Sequence, residues 1–154
     1  MNLDRFTNAD LKPRQREVEI PELAGVLFDE GEKPVWIVRG LTAAELGRAR
    51  QMAAEGRNNV AALVDALAGG SDKAANIRKA FGLGDDVPEM ISLQIEMLTI
   101  ASVSPKLGSE YRDVVVKLSE AFPTRFQQLV TAVSELTAMG AELGKPKPSG
   151  VTAA

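Results

Sequence analysis

The sequence predicts a mostly α-helical protein: a helical bundle with a small N-terminal β-hairpin or meander. Three observations predict it. Apolar residues make up 45% of the 154 residues but aromatics only 5%, so the core must be built mainly from Leu, Val, Ile, Met and Ala. Segments rich in Ala and Leu fit helices better than sheets. From residue 41 onward the apolar residues recur at helical spacing between cap and stop signals. Before it, two short segments carry strand patterning instead. The expected organisation is an arm and hairpin over residues 1–40, a helical bundle over 41–143 and a disordered tail over 144–154.

Residues 1–13 show no periodicity and read as an extended arm. Arg16-Glu17-Val18-Glu19-Ile20 alternates charged and apolar residues up to Pro21, the pattern of a half-buried strand. Residues 26–28 are a candidate for a second strand. Asp29-Glu30-Gly31-Glu32-Lys33-Pro34 is turn chemistry. Val35-Trp36-Ile37-Val38, β-branched and aromatic, is the strongest strand signal. Two or three strands alone are marginal, so they should pack on the helices or on a partner.

Thr42 and Glu45 form a capping box, with Leu41 at the hydrophobic-staple position. This helix is expected to stop at Gly56, with Leu46, Ala49, Met52 and Ala53 on its apolar face. Asn59 then caps a short second helix ending at Gly69-Gly70, and Ser71 a third that runs to Phe81. Pro88 suits the first turn of a helix reaching residue 103. Met90, Leu93, Met97 and Ile100 make one stripe on it, and Ile91, Ile95 and Leu98 another. A helix apolar on two sides is the central one of a bundle. Ser104-Pro105 ends it. Ser109 caps the next, whose face is Tyr111, Val114, Val115, Leu118 and Phe122. Pro123 starts the last, where Phe126, Leu129, Val130, Val133 and Leu136 form a clean stripe that gives out near Gly140 or Leu143. Residues 144–154, rich in Gly, Pro and Ser, lack periodicity and are expected to be disordered.

The chain has no cysteine and no histidine. Thiolate and imidazole chemistry are therefore excluded, while carboxylate-only mechanisms and magnesium sites survive as options for an enzyme. We expect no catalytic residues, no cofactor and no metal site. The net charge is −3 with signs interspersed, and no basic stripe offers itself to phosphates. Nucleic acid is thus not an expected partner. No apolar run approaches the ~18–20 residues that span a bilayer. Residues 1–12 are polar, with no apolar run, unlike a signal peptide, so the cytoplasm is the expected compartment. Gly82-Leu83-Gly84 is too short for a dinucleotide fingerprint and follows a helix, so it reads as helix termination. Asp85-Asp86 suits a helix N-terminus better than a cation. Asp29, Glu30 and Glu32 lack calcium-loop spacing. What remains is protein binding. Trp36, Met90 and Met97 are the candidate partner-binding residues, and each competes with the simpler role of filling the core.

Five segments in order carry a family resemblance: Arg16-Glu17-Val18-Glu19-Ile20-Pro21-Glu22-Leu23; Trp36-Ile37-Val38-Arg39-Gly40-Leu41-Thr42-Ala43-Ala44-Glu45; Ala101-Ser102-Val103-Ser104-Pro105; Phe122-Pro123; and the Lys-Pro-Lys-Pro-Ser-Gly of residues 145–150. Together they resemble a tail assembly chaperone of long-tailed bacteriophages with non-contractile tails. The resemblance implies a non-catalytic protein that binds the tape-measure protein, keeps it soluble and assists tail-tube protein assembly. It would act in the host cytoplasm and be left out of the mature virion; a homo-oligomer stays open. It also implies a longer second product made by ribosomal slippage, for which Leu143-Gly144-Lys145 can encode a slippery run. Two other classes compete with this reading: a structural head–tail joining or tail-completion subunit, and a carboxylate-dependent enzyme.

Overall fold

The structure, a computed structural model, describes the backbone of residues 1–68 and 86–144 and the side chains of residues 1–56 and 89–144. In chain order the elements are α1 (Leu3–Thr7), β1 (Leu11–Pro13), β2 (Gln15–Glu19), a 3-10 turn (Pro21–Leu23), β3 (Val35–Arg39) and α2 (Ala43–Ala68). Then come α3 (Asp86–Ala101), β4 (Ser102–Ser104), a second 3-10 turn (Ser109–Tyr111), α4 (Arg112–Ala121), α5 (Pro123–Met139) and β5 (Ala141–Leu143).

The fold is mixed α/β, with five helices and two small sheets among the described residues, and this corrects the expected helical bundle with a small N-terminal hairpin or meander. The two strands read from the sequence do pair, antiparallel, with Arg16 opposite Val38 and Glu19 opposite Val35. The difference lies in two three-residue strands supplied by the later half of the chain. β4 pairs with β3 and makes a three-stranded sheet, β2-β3-β4; β5 pairs with β1 in a separate ribbon. Three residues are too few to show a period of two, so such strands are set by their partners and not by their own pattern.

Several local readings change for identifiable reasons. Residues 1–13 are not an extended arm: Asn2 caps α1 by accepting from Arg5 N at 2.8 Å, and β1 follows. Residues 26–28 are not a strand. Gly25, at φ 74°, turns the chain back on itself, and its N–H donates to Phe28 O at 2.8 Å. α2 does not stop at Gly56, and Asn59 lies inside the helix instead of at the start of a new one, because the helix runs on to Ala68. A glycine ends a helix by taking positive φ, as Gly140 does after α5 at φ 71°; Gly56 does not. Among Ala, Glu and Arg neighbours it is simply tolerated, at about 1 kcal/mol. α3 ends at Ala101 instead of residue 103, because Ser102 joins β4. Ser109 opens a 3-10 turn, not α4. The helix expected from Ser71 to Phe81 lies outside the described residues, as do residues 82–85 of the loop expected over 82–86 and the tail from 145; Asp86 is already the first residue of α3. Gly144 belongs to the ribbon and not to a tail: its N–H donates to Asp10 O at 2.8 Å.

One core joins the sheet to the helices. Val18, Ile20, Trp36 and Val38 meet Leu98, Val115, Leu118, Leu129 and Val133, all buried. The stripe read on the last helix is buried in full: Phe126, Leu129, Val130, Val133 and Leu136. Each such side chain contributes roughly 1.5–3 kcal/mol. α3 packs on α2, α4 and α5, and among its described side chains, 89–101, burial is confined to the later turns. Ile95 and Leu98 are buried, Leu93, Met97 and Ile100 half-buried, and Met90 and Ile91 exposed.

Residues 14–22 run antiparallel to α5 along its length. Arg14 pairs with Glu142 at 3.0 Å, Arg16 with Glu135 at 2.5 Å, and Glu22 with Arg125 at 2.6 Å. Such exposed pairs are each worth little; of the three, Arg16–Glu135 is the one that joins β2 itself to α5.

Candidate functional site

Four short segments enclose an apolar cleft of about 200 Å³, lined by Leu23, Val26, Leu27, Trp36, Val114, Lys117, Leu118, Ala121 and Phe122. The 3-10 turn and Gly25 reverse the chain, with Leu27 N donating to Leu23 O at 3.0 Å. That reversal stands Val26, 77% exposed, and Leu27 at the rim. The opposite wall is α4, where Val114, Leu118 and Ala121 recur at the spacing of one helix face. Trp36 and Leu118, both buried, form the floor. Lys117 is the one charged residue of the lining. Exposed apolar side chains gathered around a concavity mark a docking site more than scattered ones do.

The near wall is clamped in place. Arg125 Nε donates to both Glu22 oxygens, at 3.0 and 3.1 Å, beside the start of α5. The guanidinium holds the Glu22 carboxyl below its usual range. Away from the cleft, the end of β3 is tied to the first turn of α2 by the bidentate Arg39–Glu45 pair, at 2.9 and 2.7 Å. Glu45 also accepts from Thr42 N at 2.9 Å while its own N–H donates to Thr42 Oγ1 at 3.2 Å, so the capping box read from the sequence is present. Arg39 lowers the Glu45 pKa to about 2, helped by the Thr42 N–H and opposed by desolvation. The buried Glu96 on α3 accepts from Arg112 Nε at the start of α4.

The three candidate residues do not converge. Trp36 is fully buried, and its indole Nε1 donates to Ser102 Oγ at 2.9 Å. Its side chain lies beneath the cleft and ties β3 to the end of α3. Met97 is half-buried against the core. Met90 is 63% exposed near the start of α3. At 1.5 Å per residue it sits roughly 18 Å from Ser102 along the helix. Sequence reasoning missed Val26, Leu27 and Ala121, and took Val114 and Phe122 for core. The signal for the rim was a Val-Leu pair directly after a glycine, which reads equally as a strand or as an apolar turn.

A second groove, between β2 and α5, is lined by Arg16, Glu17, Val18, Glu19, Gln128, Thr131, Ala132 and Glu135. The Arg16–Glu135 pair spans it, and Glu19 pairs with Lys33 outside the lining. Among the described residues, no group of three or more acidic side chains is placed to hold a metal ion, and no helix is long and apolar enough to cross a membrane. No family model, curated protein or solved structure matches the chain.

Proposed function

We propose that this protein is a non-catalytic tail assembly chaperone that takes apolar helical segments of a tape-measure protein into the cleft beside Trp36. One observation carries the reading. The segments that carry the family resemblance are far apart in sequence, yet three of them line this cleft and a fourth hydrogen-bonds its floor through Ser102 and Trp36. Residues 16–23 supply β2 and the near wall; residues 36–45 supply β3 and the floor; residues 101–105 supply β4; Phe122 closes the end. Trp36, Ser102, Leu23 and Phe122 thus belong to one structural unit. A short apolar trough with a single lysine suits the i, i+3, i+4 anchors of an amphipathic helix. Its small size gives modest affinity per contact, as release before the tail is complete requires, with avidity along a long client. The tail-tube protein is the second expected partner, and the host cytoplasm the place of action.

The test is co-expression with the tape-measure protein. The wild type should keep the client soluble and co-purify with it. Ala121→Trp, at an exposed position on the cleft wall, should fold normally and lose both effects. A client that stays insoluble beside the wild type, or is rescued equally by Ala121→Trp, removes the proposal. The second reading, a head–tail joining or tail-completion subunit, draws on the β1–β5 ribbon, whose Leu11 and Leu143 are exposed as a permanent interface would need. Detection of the protein in purified particles would favour it.

A further inference from the structure

We infer that the free edge of β2 is a second docking site, which takes an extended peptide segment carrying basic residues and adds it to the sheet as a fourth strand. The site shares no lining residue with the apolar cleft and does not depend on the function proposed above.

β2 is an outer strand of the sheet β2-β3-β4. Its pairing with β3 fixes where each backbone group points. Gly40 N donates to Arg14 O at 2.9 Å, and Ile20 N donates to Pro34 O at 2.8 Å. In an antiparallel pair such bonded positions recur at every second residue. Arg16, opposite Val38, and Val18, opposite Trp36, therefore bond to β3 as well. The N–H and C=O groups of Gln15, Glu17 and Glu19 point the other way, along the open edge. They have no hydrogen-bond partner among the described residues. A row of unpaired groups of this kind is a template for another strand.

Beside this edge lies the groove of about 460 Å³ between β2 and α5. On the α5 side it is lined by Gln128, Thr131, Ala132 and Glu135, spaced i, i+3, i+4, i+7 and so on one helix face. That stripe is about 10 Å long at 1.5 Å per residue. Residues 15–19 extend for about 13 Å. Strand edge and helix face thus run side by side for the length of about four extended residues. A segment laid between them takes main-chain hydrogen bonds from the strand and side-chain contacts from the helix.

Charge selects the occupant. The carboxylates of Glu17, Glu19 and Glu135 line the groove against the single guanidinium of Arg16. Arg16 pairs with Glu135, and Glu19 with Lys33. Glu17, exposed at the middle of the edge, has no ion pair among the described residues. Val18 is buried in the core, so Glu17 projects from the opposite face of the sheet. On an added strand the residue opposite Glu17 shares that face, and a lysine or arginine there completes the pair. A second copy of this chain does not fit. In a two-fold antiparallel pair of β2 edges, each register that overlaps three residues or more sets like charges opposite: Glu17 on Glu17, Glu17 on Glu19, or Arg16 on Arg16. The occupant is a different segment, and basic. With so short an edge the contact is weak, with a dissociation constant of roughly 0.1–1 mM.

Nuclear magnetic resonance titration of the isotope-labelled full chain tests this. The probe is a blocked peptide of about seven residues that alternates lysine with threonine, long enough to cover residues 15–19. The amide signals of Gln15, Glu17 and Glu19 should shift, and their hydrogen exchange should slow as the peptide saturates. The same peptide with glutamate in place of lysine should not bind. Nor should the lysine peptide with alternate backbone amides methylated, which keeps its charge but loses the donors of one edge. Glu17→Gln, at an exposed position, should weaken binding about twofold to fivefold, the worth of an exposed ion pair. Circular dichroism checks that this variant folds. No binding of the lysine peptide, shifts confined to residues outside this edge and groove, equal binding of the methylated or the glutamate peptide, or undiminished affinity in Glu17→Gln would each overturn the inference. So would slowing of the Glu17 and Glu19 amides with rising protein concentration alone, because a second copy would then be the occupant.

Discussion

Trp36 and Ser102 are joined inside the protein: the indole Nε1 donates to Ser102 Oγ at 2.9 Å, and Ser102 Oγ donates onward to Leu98 O at 2.7 Å. Both residues are buried. The relay links the central strand of the sheet to the last turn of α3, at the point where helix becomes β4. A buried indole N–H without a partner loses its desolvation energy in full. Ser102→Ala should therefore destabilise the fold by about 1–3 kcal/mol, read as a lower urea midpoint. In a Trp36→Phe background, where no donor remains, the same substitution should cost clearly less. Equal costs in the two backgrounds would show that the hydrogen bond contributes nothing.

Gly40 faces a tighter constraint. A Cβ placed there would stand 2.9 Å from Leu136 O and 3.1 Å from Thr137 N, both backbone atoms of α5. The next residue, Leu41, donates its N–H to Thr137 Oγ1 at 3.0 Å. The end of β3 is thus seated directly on the helix, and neither side can swing away as a flexible side chain would. Gly40→Ala should cost about 1–3 kcal/mol from overpacking. Gly47, with nothing within 4 Å of its Cβ position, serves as the control. As a mid-helix glycine in α2, its change to alanine should be neutral or stabilising, by up to about 1 kcal/mol. Thermal unfolding of the two variants should move in opposite directions.

These two contacts also show why part of the fold escapes a reading of the sequence. The β2–β3 pairing, the capping box of Thr42 and Glu45, and the buried stripe of α5 are local patterns, written within a few residues each. β4 and β5 are not: Ser102-Val103-Ser104 carries no strand pattern and becomes one because β3 offers it an edge. Gly56 reads as a stop, yet nothing around it demands positive φ, so α2 continues. For the candidate site, Trp36 was legible as a residue of interest. Its role as floor was not, since that depends on α4 arriving from almost eighty residues later. Val26 and Leu27 were misplaced because apolar residues in a turn and in a strand look alike until the turn at Gly25 is known.

The Arg39–Glu45 pair predicts the acid limit of stability. Its carboxylate has a pKa lowered from 4.5 to about 2, first by the Arg39 hydrogen bonds. A group whose folded pKa is depressed stabilises the fold above its unfolded pKa and loses that contribution as pH falls. The loss should run from about pH 4.5 down to about 2. With both partners partly exposed, solvent screening reduces the effect to about 1–2 kcal/mol. Glu45→Gln should flatten the slope of unfolding free energy against pH in that window and leave it unchanged near neutrality. An unaltered slope would mean that the pair contributes nothing to acid stability.

Burial along α3 yields a rank order. By sequence alone Leu93 and Leu98 have similar standing, one on each apolar stripe of a helix read as central, so Leu93→Asp would be expected to cost several kcal/mol. The structure separates them. Leu98 is fully buried in the core with Val115, Leu129 and Val133, whereas Leu93 is only half-buried, one turn from the exposed Met90. A carboxylate at 93 can reach water; a truncation at 98 opens a cavity that the surrounding side chains fill only in part. Leu98→Ala should therefore cost about 3–5 kcal/mol. Leu93→Asp should cost about 1–2 kcal/mol, since a partly exposed charge keeps most of its hydration. Urea unfolding of the two variants under identical conditions measures both. A larger loss for Leu93→Asp than for Leu98→Ala would mean that the first turns of α3 belong to the core and that Met90 packs with them instead of facing water.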